Sequence, residues 1–259
     1  MERKRKEMEK AKSGLRLAME ELCLCSPGDG EEKQEQVQPR SSTMDLLSVS
    51  KQLLHVLDEI GPTLLVLRQD IQQNIQRLQD LHERDSSKYA SLTAIVTEEV
   101  EQETAKKTKS CTRAIIWLSR SISFSKYLLE RLLKAPELSL REIVEEAYAS
   151  TLKPWHGWIS SAAYKVAMKL VPEREVLIAL LMGNCQDFED LAEDAKMLTY
   201  AVQPMLEEID AISVRVLNFT SVYYQDKSCN ERSEFLAHTC SIYICGLQAK
   251  HNLDKMKSS

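Results

Sequence analysis

The chain has 259 residues, of which 43% are apolar and 28% are charged, enough for one large or two small globular domains. Its net charge of -5 gives no reason to expect a nucleic-acid partner. No stretch approaches the roughly 20 apolar residues of a membrane span, and the charged N-terminus lacks the apolar run of a secretory signal. We therefore expect a cytoplasmic protein whose contact with membranes is peripheral.

The first 43 residues differ in composition from the rest of the chain. Residues 1–22 alternate charged with a few apolar positions, and residues 26–43 are polar and interrupted by Pro and Gly. This composition predicts a charged, flexible N-terminal tail and linker over residues 1–43. The globular domain is expected to begin near Met44.

Residues 44–212 predict an all-α domain. Glycine and proline are scarce in the chain, with 7 of each, and apolar residues recur at helical spacing along most of this range. No segment in it has the alternation of a strand, so we expect about seven or eight helices. The pattern predicts helices over residues 45–60, 63–82, 89–100, 112–134, 140–151, 154–171, 175–182 and 188–212. Residues 213–250 follow neither a helical nor a strand period, and we expect them to have low order.

The second predicted helix carries a stripe of hydrogen-bonding side chains. Asp70, Asn74 and Arg77 are spaced so that all three lie on one side of a helix, beside an apolar stripe that includes Ile71 and Ile75. Such a stripe suits the polar head of a molecule whose tail enters the core. It also suits the ordinary boundary of an amphipathic helix, with Asp70 and Arg77 in a surface ion pair.

The sequence lacks the motifs of the common enzyme classes. It has no Gly-rich phosphate loop, no GxSxG elbow and no HExxH pair, and no two of its 5 histidines stand at metal-ligand spacing. The 7 cysteines are odd in number and irregularly spaced, as expected of free thiols in a reducing compartment. We therefore predict a binding protein that is not an enzyme and has no metal or cofactor.

Three segments of the chain form a specific combination: Asp70-Ile-Gln-Gln-Asn-Ile-Gln-Arg-Leu78, Ser110-Cys-Thr-Arg-Ala-Ile-Ile-Trp-Leu118 and Leu152-Lys-Pro-Trp-His-Gly-Trp158. In this order they resemble the glycolipid transfer protein family, with plant cytosolic members the most similar. The resemblance extends over roughly residues 46–212. It implies a two-layer helical sandwich that takes one sphingolipid at a time, with the head group at the surface and the chains in an apolar pocket.

The resemblance also implies roles for individual residues. Asp70 would bond the sugar and the ceramide amide N–H, and Asn74 and Arg77 would bond sugar hydroxyls. Trp117 would stack on the sugar ring, and His156 would bond the amide carbonyl. We expect His156 to be neutral because it lies near the start of a helix, where the helix dipole disfavours a cation.

Three further residues match family positions that meet the lipid chains or the bilayer. Trp158 matches an interfacial tryptophan that helps the protein dock on the membrane. Phe124 and Leu152 match residues that line the chain pocket. For these two, a plain core position is an equally good interpretation, because a core and a lipid pocket use the same residue types.

Two departures bear on the ligand. Arg77 stands where animal glycolipid-binding members have Lys, which keeps the charge and changes the geometry. In the ceramide-phosphate-binding branch, arginines match positions 113 and 117 and a Lys matches position 74. The chain has Arg113 from that pattern, but Asn74 and Trp117 from the glycolipid pattern. Arg113 is therefore a possible phosphate contact, together with Arg77.

A third departure is the C-terminal region. Residues 251–259 resemble a family ending that is displaced by residues 213–250, which we interpret as an insertion. Because the family's C-terminal segment contributes to the binding region, such an insertion is expected to weaken lipid binding.

These observations predict a monomeric, non-enzymatic carrier of a glucosylceramide-like glycosphingolipid that contacts membranes transiently. One alternative is a ceramide-1-phosphate transfer protein. Another is a lipid-sensing helical interaction protein without transfer activity.

Overall fold

A computed structural model of the chain describes residues 15–16, 42–60, 65–183 and 187–221. Eight α-helices are described between residues 42 and 221. They are α1 (Thr43–Ile60), α2 (Leu65–Arg84), α3 (Leu92–Glu101), α4 (Cys111–Lys134), α5 (Leu140–Thr151), α6 (Trp158–Ala167), α7 (Arg174–Met182) and α8 (Phe188–Ser221). A short 3-10 turn, Lys153–Trp155, precedes α6. The prediction of an all-α fold of about eight helices is confirmed.

The long helix α4 is the centre of the fold, and it packs against α1, α2, α3, α5 and α8. Its start is defined by two polar side chains. The Ser110 hydroxyl accepts a hydrogen bond from the Arg113 N–H, and the Glu99 carboxylate of α3 accepts from the N–H groups of Cys111 and Thr112 at 2.8 and 2.7 Å. These bonds satisfy N–H groups that have no partner within the helix, and they join α3 to α4.

Two clusters of buried apolar side chains stabilise the helices. The first is shared by α1, α2, α3, α4 and α8, and its fully buried members include Leu46, Leu78, Ile95, Leu118 and Ile209. The second is shared by α4, α5, α7 and α8, and it includes Leu129, Leu132, Ile143, Leu177 and Leu191. Both clusters contain side chains of α4, so this helix connects them.

Two residues of the predicted N-terminal tail, Leu15 and Arg16, pack against the helical domain. Leu15 is helical, only 5% exposed, and packed in the second cluster. The Arg16 guanidinium lies 3.3 Å from the buried carboxylate of Asp194 on α8. The thin apolar stripe around Leu15 was too short to predict this contact, because the surface that receives it comes from distant helices.

The last helix is longer than predicted. We expected it to end at about Ile212, but α8 continues to Ser221, so the first nine residues assigned to an insertion are helical. β-Branched and aromatic residues lower helix propensity by only fractions of a kcal/mol, and each added residue of an existing helix gains a backbone hydrogen bond. The remainder of the predicted insertion, and the family-like ending at 251–259, lie outside the described residues.

Candidate functional site

An apolar cavity of about 400 Å³ lies between the two clusters of buried side chains. Helices α1, α2, α4, α5, α6, α7 and α8 all contribute to its wall. The wall includes Leu53, Val56, Leu128, Val144, Leu177 and Val202. Its size is typical of a small-molecule site, and its lining suits the hydrocarbon part of a ligand. Leu67 on α2 lines the cavity and is 42% exposed, so the cavity has an edge at the surface.

Two of the predicted polar site residues line this cavity. Asp70 comes from α2, one helical turn after Leu67, and His156 follows the 3-10 turn before α6. The two residues are far apart in the sequence, and only the packing of α2 and α6 around one space brings both to it. Phe124 on α4 and Leu152 at the end of α5 also line the cavity.

The polar stripe of α2 is ordered by hydrogen bonds within the helix. The buried Asn74 amide donates to the carbonyl oxygen of Asp70 at 3.0 Å and accepts from the Arg77 guanidinium at 3.2 Å. Within the described helices, the Asp70 carboxylate makes neither a hydrogen bond nor an ion pair, so the surface pair of Asp70 with Arg77 that the sequence allowed does not form. The carboxylate is therefore available to accept a hydrogen bond from a ligand.

The pKa of the Asp70 carboxyl is set by two opposing effects, burial and the charge of two nearby arginines. Removal from water raises the pKa of Asp70 to about 6, and the nearby Arg77 and Arg113 guanidinium groups act in the opposite direction. At neutral pH the carboxylate is consequently ionised. Arg113 lies on α4 one turn before Trp117, so the charges around Asp70 come from two helices.

His156 lies among aromatic side chains. Its ring centroid is 5.8 Å from that of Trp117 and 5.4 Å from that of Tyr148, and its Nδ1 is 3.2 Å from the Tyr148 hydroxyl. Burial, together with the Arg120 cation, lowers the pKa of His156 to about 4, so the ring is neutral at neutral pH. When the Tyr148 hydroxyl donates to Nδ1, the Nε2–H group remains for a ligand.

Arg120 connects two tryptophans at this end of the cavity. Its guanidinium carbon lies 5.0 Å from the centre of the Trp117 ring and 4.0 Å from that of Trp155. Such contacts favour a fixed orientation of both rings. Trp155 is 41% exposed and Trp158, at the start of α6, is 76% exposed, so large apolar side chains face solvent beside His156.

Several residues of this site were not predicted from the sequence. Arg120 follows Trp117 by three residues, and this helical spacing was a usable signal. Tyr148 follows Leu140 and Val144 at steps of four, which predicts a buried position but not its contact with His156. The sequence around Leu15 did not indicate its contacts, because the cluster in which it packs is formed by helices distant in the chain.

Comparison with known proteins gives the family. The model of the glycolipid transfer protein family matches residues 41–183. Glycolipid transfer protein 2 of Arabidopsis thaliana is 42% identical over 210 residues, which cover 81% of this chain and 93% of that relative. The chain belongs to the glycolipid transfer protein family. Glycolipid transfer protein 3 of the same plant is also 42% identical, over 64% of this chain and 72% of its own length.

Solved structures support the family fold. The GLTP fold of FAPP2, a protein that selects simple glycosphingolipids, matches with a TM-score of 0.63 and 24% identity, over 74% of this chain and 92% of that one. Human ceramide-1-phosphate transfer protein in complex with 12:0 ceramide-1-phosphate matches with a TM-score of 0.65 and 18% identity, over 78% and 95%. At these identities the likeness establishes the fold.

Membership confirms part of the functional prediction. Glycolipid transfer proteins are non-enzymatic, as predicted for this chain. Within the described part of the chain, none of the helices has both the length and the apolar character needed to cross a membrane.

Proposed function

We propose that this glycolipid transfer protein family member carries one glucosylceramide-like glycosphingolipid at a time between membranes, without making or breaking a covalent bond. The observation that carries the proposal is that Asp70, on α2, and His156, in the segment before α6, line one apolar cavity. A lipid with a polar amide between its head group and its chains needs hydrogen-bonding side chains for the amide directly beside an apolar space for the chains.

The amide of a ceramide requires one acceptor and one donor once it leaves water. The Asp70 carboxylate has no partner in the described helices and is ionised at neutral pH, so it accepts from the amide N–H. The neutral His156 ring donates from its remaining N–H to the amide carbonyl. The two chains then occupy the cavity beside Phe124 and Leu152.

The head group is proposed to lie outside the cavity, against Trp117, Asn74 and Arg77. A sugar has apolar C–H faces and polar edges, which suit a flat indole ring flanked by hydrogen-bonding groups. Asn74 orients Arg77 through a 3.2 Å hydrogen bond, so the cation is positioned before the ligand arrives. The exposed Trp158 is proposed to enter the bilayer interface while the lipid is exchanged, since indole rings prefer that region.

The test is transfer of fluorescent glucosylceramide between vesicles by the wild type and Asp70→Val. Loss of the amide acceptor is expected to lower the rate at least about tenfold, because a buried amide N–H then stays unpaired. Asp80→Val is the matched control, because Asp80 is an exposed residue of the same helix that bonds to Gln76 instead of lining the cavity. Equal rates for the wild type and Asp70→Val would contradict the proposal.

A second candidate ligand is ceramide-1-phosphate. It is favoured by one observation, that Arg77 on α2 and Arg113 on α4 are both near enough to Asp70 to lower its pKa. A phosphate group is normally bound by at least two cations or backbone N–H donors. Ceramide-1-phosphate run in parallel decides between the two, because Arg113→Gln would reduce transfer of the phosphate lipid and leave glucosylceramide transfer nearly unchanged. Binding without transfer of either lipid would favour a lipid-sensing role.

A further inference from the structure

Among the residues that the structure describes, two hydroxyl groups on the cavity wall have no hydrogen-bond partner. The Ser160 Oγ and the Tyr164 hydroxyl oxygen are both buried and unpaired, and both residues line the cavity. The Ser160 side chain is only 4% exposed. Buried hydroxyl groups are normally hydrogen-bonded, and leaving one unpaired costs free energy. Two such groups in one apolar cavity indicate that the cavity is made for a ligand with a polar group of its own.

Both hydroxyl groups come from the helix that follows His156 in the chain. His156, Ser160 and Tyr164 are spaced four residues apart, and all three line the cavity. Ser160 and Tyr164 are one turn apart on α6, so their side chains lie on the same side of that helix. The two hydroxyl groups thus lie on the first turns of α6, the helix that follows the residue proposed to bind the amide.

The Tyr164 ring is held by Tyr148. The two rings are stacked, with centroids 3.5 Å apart and planes 6° from parallel, and the Tyr148 hydroxyl contacts His156. Burial raises the pKa of Tyr164 to about 12, so its hydroxyl keeps the proton and can donate a hydrogen bond. The Ser160 hydroxyl can both donate and accept. A single hydroxyl on a ligand could therefore satisfy both residues.

We propose that Ser160 and Tyr164 form a subsite for a hydroxyl group carried on a lipid chain close to the amide. The ligand class is a hydroxylated sphingolipid, with the hydroxyl either at carbon 2 of the acyl chain or at carbon 4 of the sphingoid base. This inference rests on the proposed function and narrows its substrate. The same subsite disfavours a plain chain, because an alkyl segment at this point leaves both protein hydroxyls unpaired.

The experiment compares transfer of glucosylceramides that share head group and chain lengths. One has plain chains, one has a 2-hydroxyacyl chain, and one has a 4-hydroxylated base. For the wild type, one hydroxylated lipid is expected to transfer about fivefold faster than the plain lipid, equivalent to roughly one net hydrogen bond. The hydroxylated lipid that transfers faster identifies which of the two chains carries the hydroxyl that binds at the subsite.

The variants are Ser160→Ala, Tyr164→Phe and their combination, each of which removes only hydroxyl groups. In the combined variant, the transfer rate of the hydroxylated lipid divided by that of the plain lipid is expected to fall to about one. The main reason is faster transfer of the plain lipid, which no longer leaves protein hydroxyls unpaired. Thr112→Val is the matched control, because the Thr112 hydroxyl is also buried and unpaired but does not line the cavity. In Thr112→Val, the hydroxylated lipid should transfer faster than the plain lipid by the same factor as in the wild type.

Three outcomes would overturn the inference, and they show whether the proposed function fails with it. Equal rates for plain and hydroxylated lipids in the wild type, or an unchanged ratio in the combined variant, would mean that water satisfies these hydroxyls, while the proposed carrier function would stand. Transfer of no glucosylceramide at all would overturn the proposed function and this inference together.

Discussion

The two halves of α4 have the same apolar periodicity and different surroundings. In the first half, Ile115 and Leu118 are fully buried in the cluster shared with α2, α3 and α8. In the second half, Phe124, Ser125 and Leu128 line the cavity. The first half of α4 thus packs in a filled cluster, whereas the second half packs in the second cluster and also borders the cavity.

The difference comes from the size of a few side chains. Ser121 and Ser125 occupy positions on the cavity side, and their hydroxyls donate to the carbonyl oxygens of Trp117 and Ser121, each at 3.0 Å. Because these hydroxyls are satisfied within the helix, they leave the cavity wall apolar and do not fill it. A cavity can therefore be made by small residues whose polar groups bond to their own helix.

The largest expected effect is loss of stability in the packed half. Leu118→Ala should lower the free energy of unfolding by about 3–4 kcal/mol, since it creates a void in a filled cluster. Phe124→Ala should cost less than about 2 kcal/mol, because a side chain on a cavity wall has fewer contacts to lose. Urea unfolding measures both, and equal losses would contradict the distinction between the two halves.

Replacing a serine of α4 by a larger residue should affect a different property in each half of the helix. Ser125→Leu should fill part of the cavity and reduce lipid transfer about tenfold, equivalent to roughly 1.4 kcal/mol of lost chain binding, with little change in stability. Ser119→Leu should instead destabilise the fold by about 1–3 kcal/mol, because Ser119 is buried and does not line the cavity. A stability loss for Ser125→Leu as large as that for Ser119→Leu would show that no usable space exists beside α4.

A smaller effect concerns pH at the edge of the cavity. The pKa of Asp70 is about 6 in the folded chain and near 3.8 in the unfolded chain, so the folded state binds more protons between these values. Its contribution to stability is therefore greatest at low pH and is lost as pH rises through 6. Asp70→Asn should melt a few degrees above the wild type at pH 7.5, and the gap should close near pH 4. A gap that is the same at both pH values would argue against burial of the charge.

The smallest expected effect concerns the contact of Arg16 with Asp194. Arg16→Ala should lower stability by less than about 1 kcal/mol, because the arginine is half exposed. Leu15→Ala should have a larger effect, since Leu15 is buried in the second cluster and lines the cavity. Thermal melting of the full chain measures both, and two silent variants would mean that residues 15–16 do not stabilise the domain.

Much of the site could be predicted from local spacing. The alignment of Asp70, Asn74 and Arg77 on one side of α2 follows from helical geometry, and the hydrogen bonds among them connect residues three and four apart. His156 was predicted within the start of a helix over residues 154–171, whereas the structure places it after a 3-10 turn and before α6. The stripe on α2 depends on a few consecutive residues, and for that reason the sequence alone was sufficient to predict it.

The sequence by itself determined that the domain is all-α and which side of each helix is apolar. Only the tertiary structure decided that Asp70 and His156 line one cavity, that Leu15 also lines it, and that α8 continues past Ile212. The reason is physical. Periodicity identifies a buried face, whereas the choice between a packed core and an open cavity depends on the sizes of side chains that several distant helices bring together.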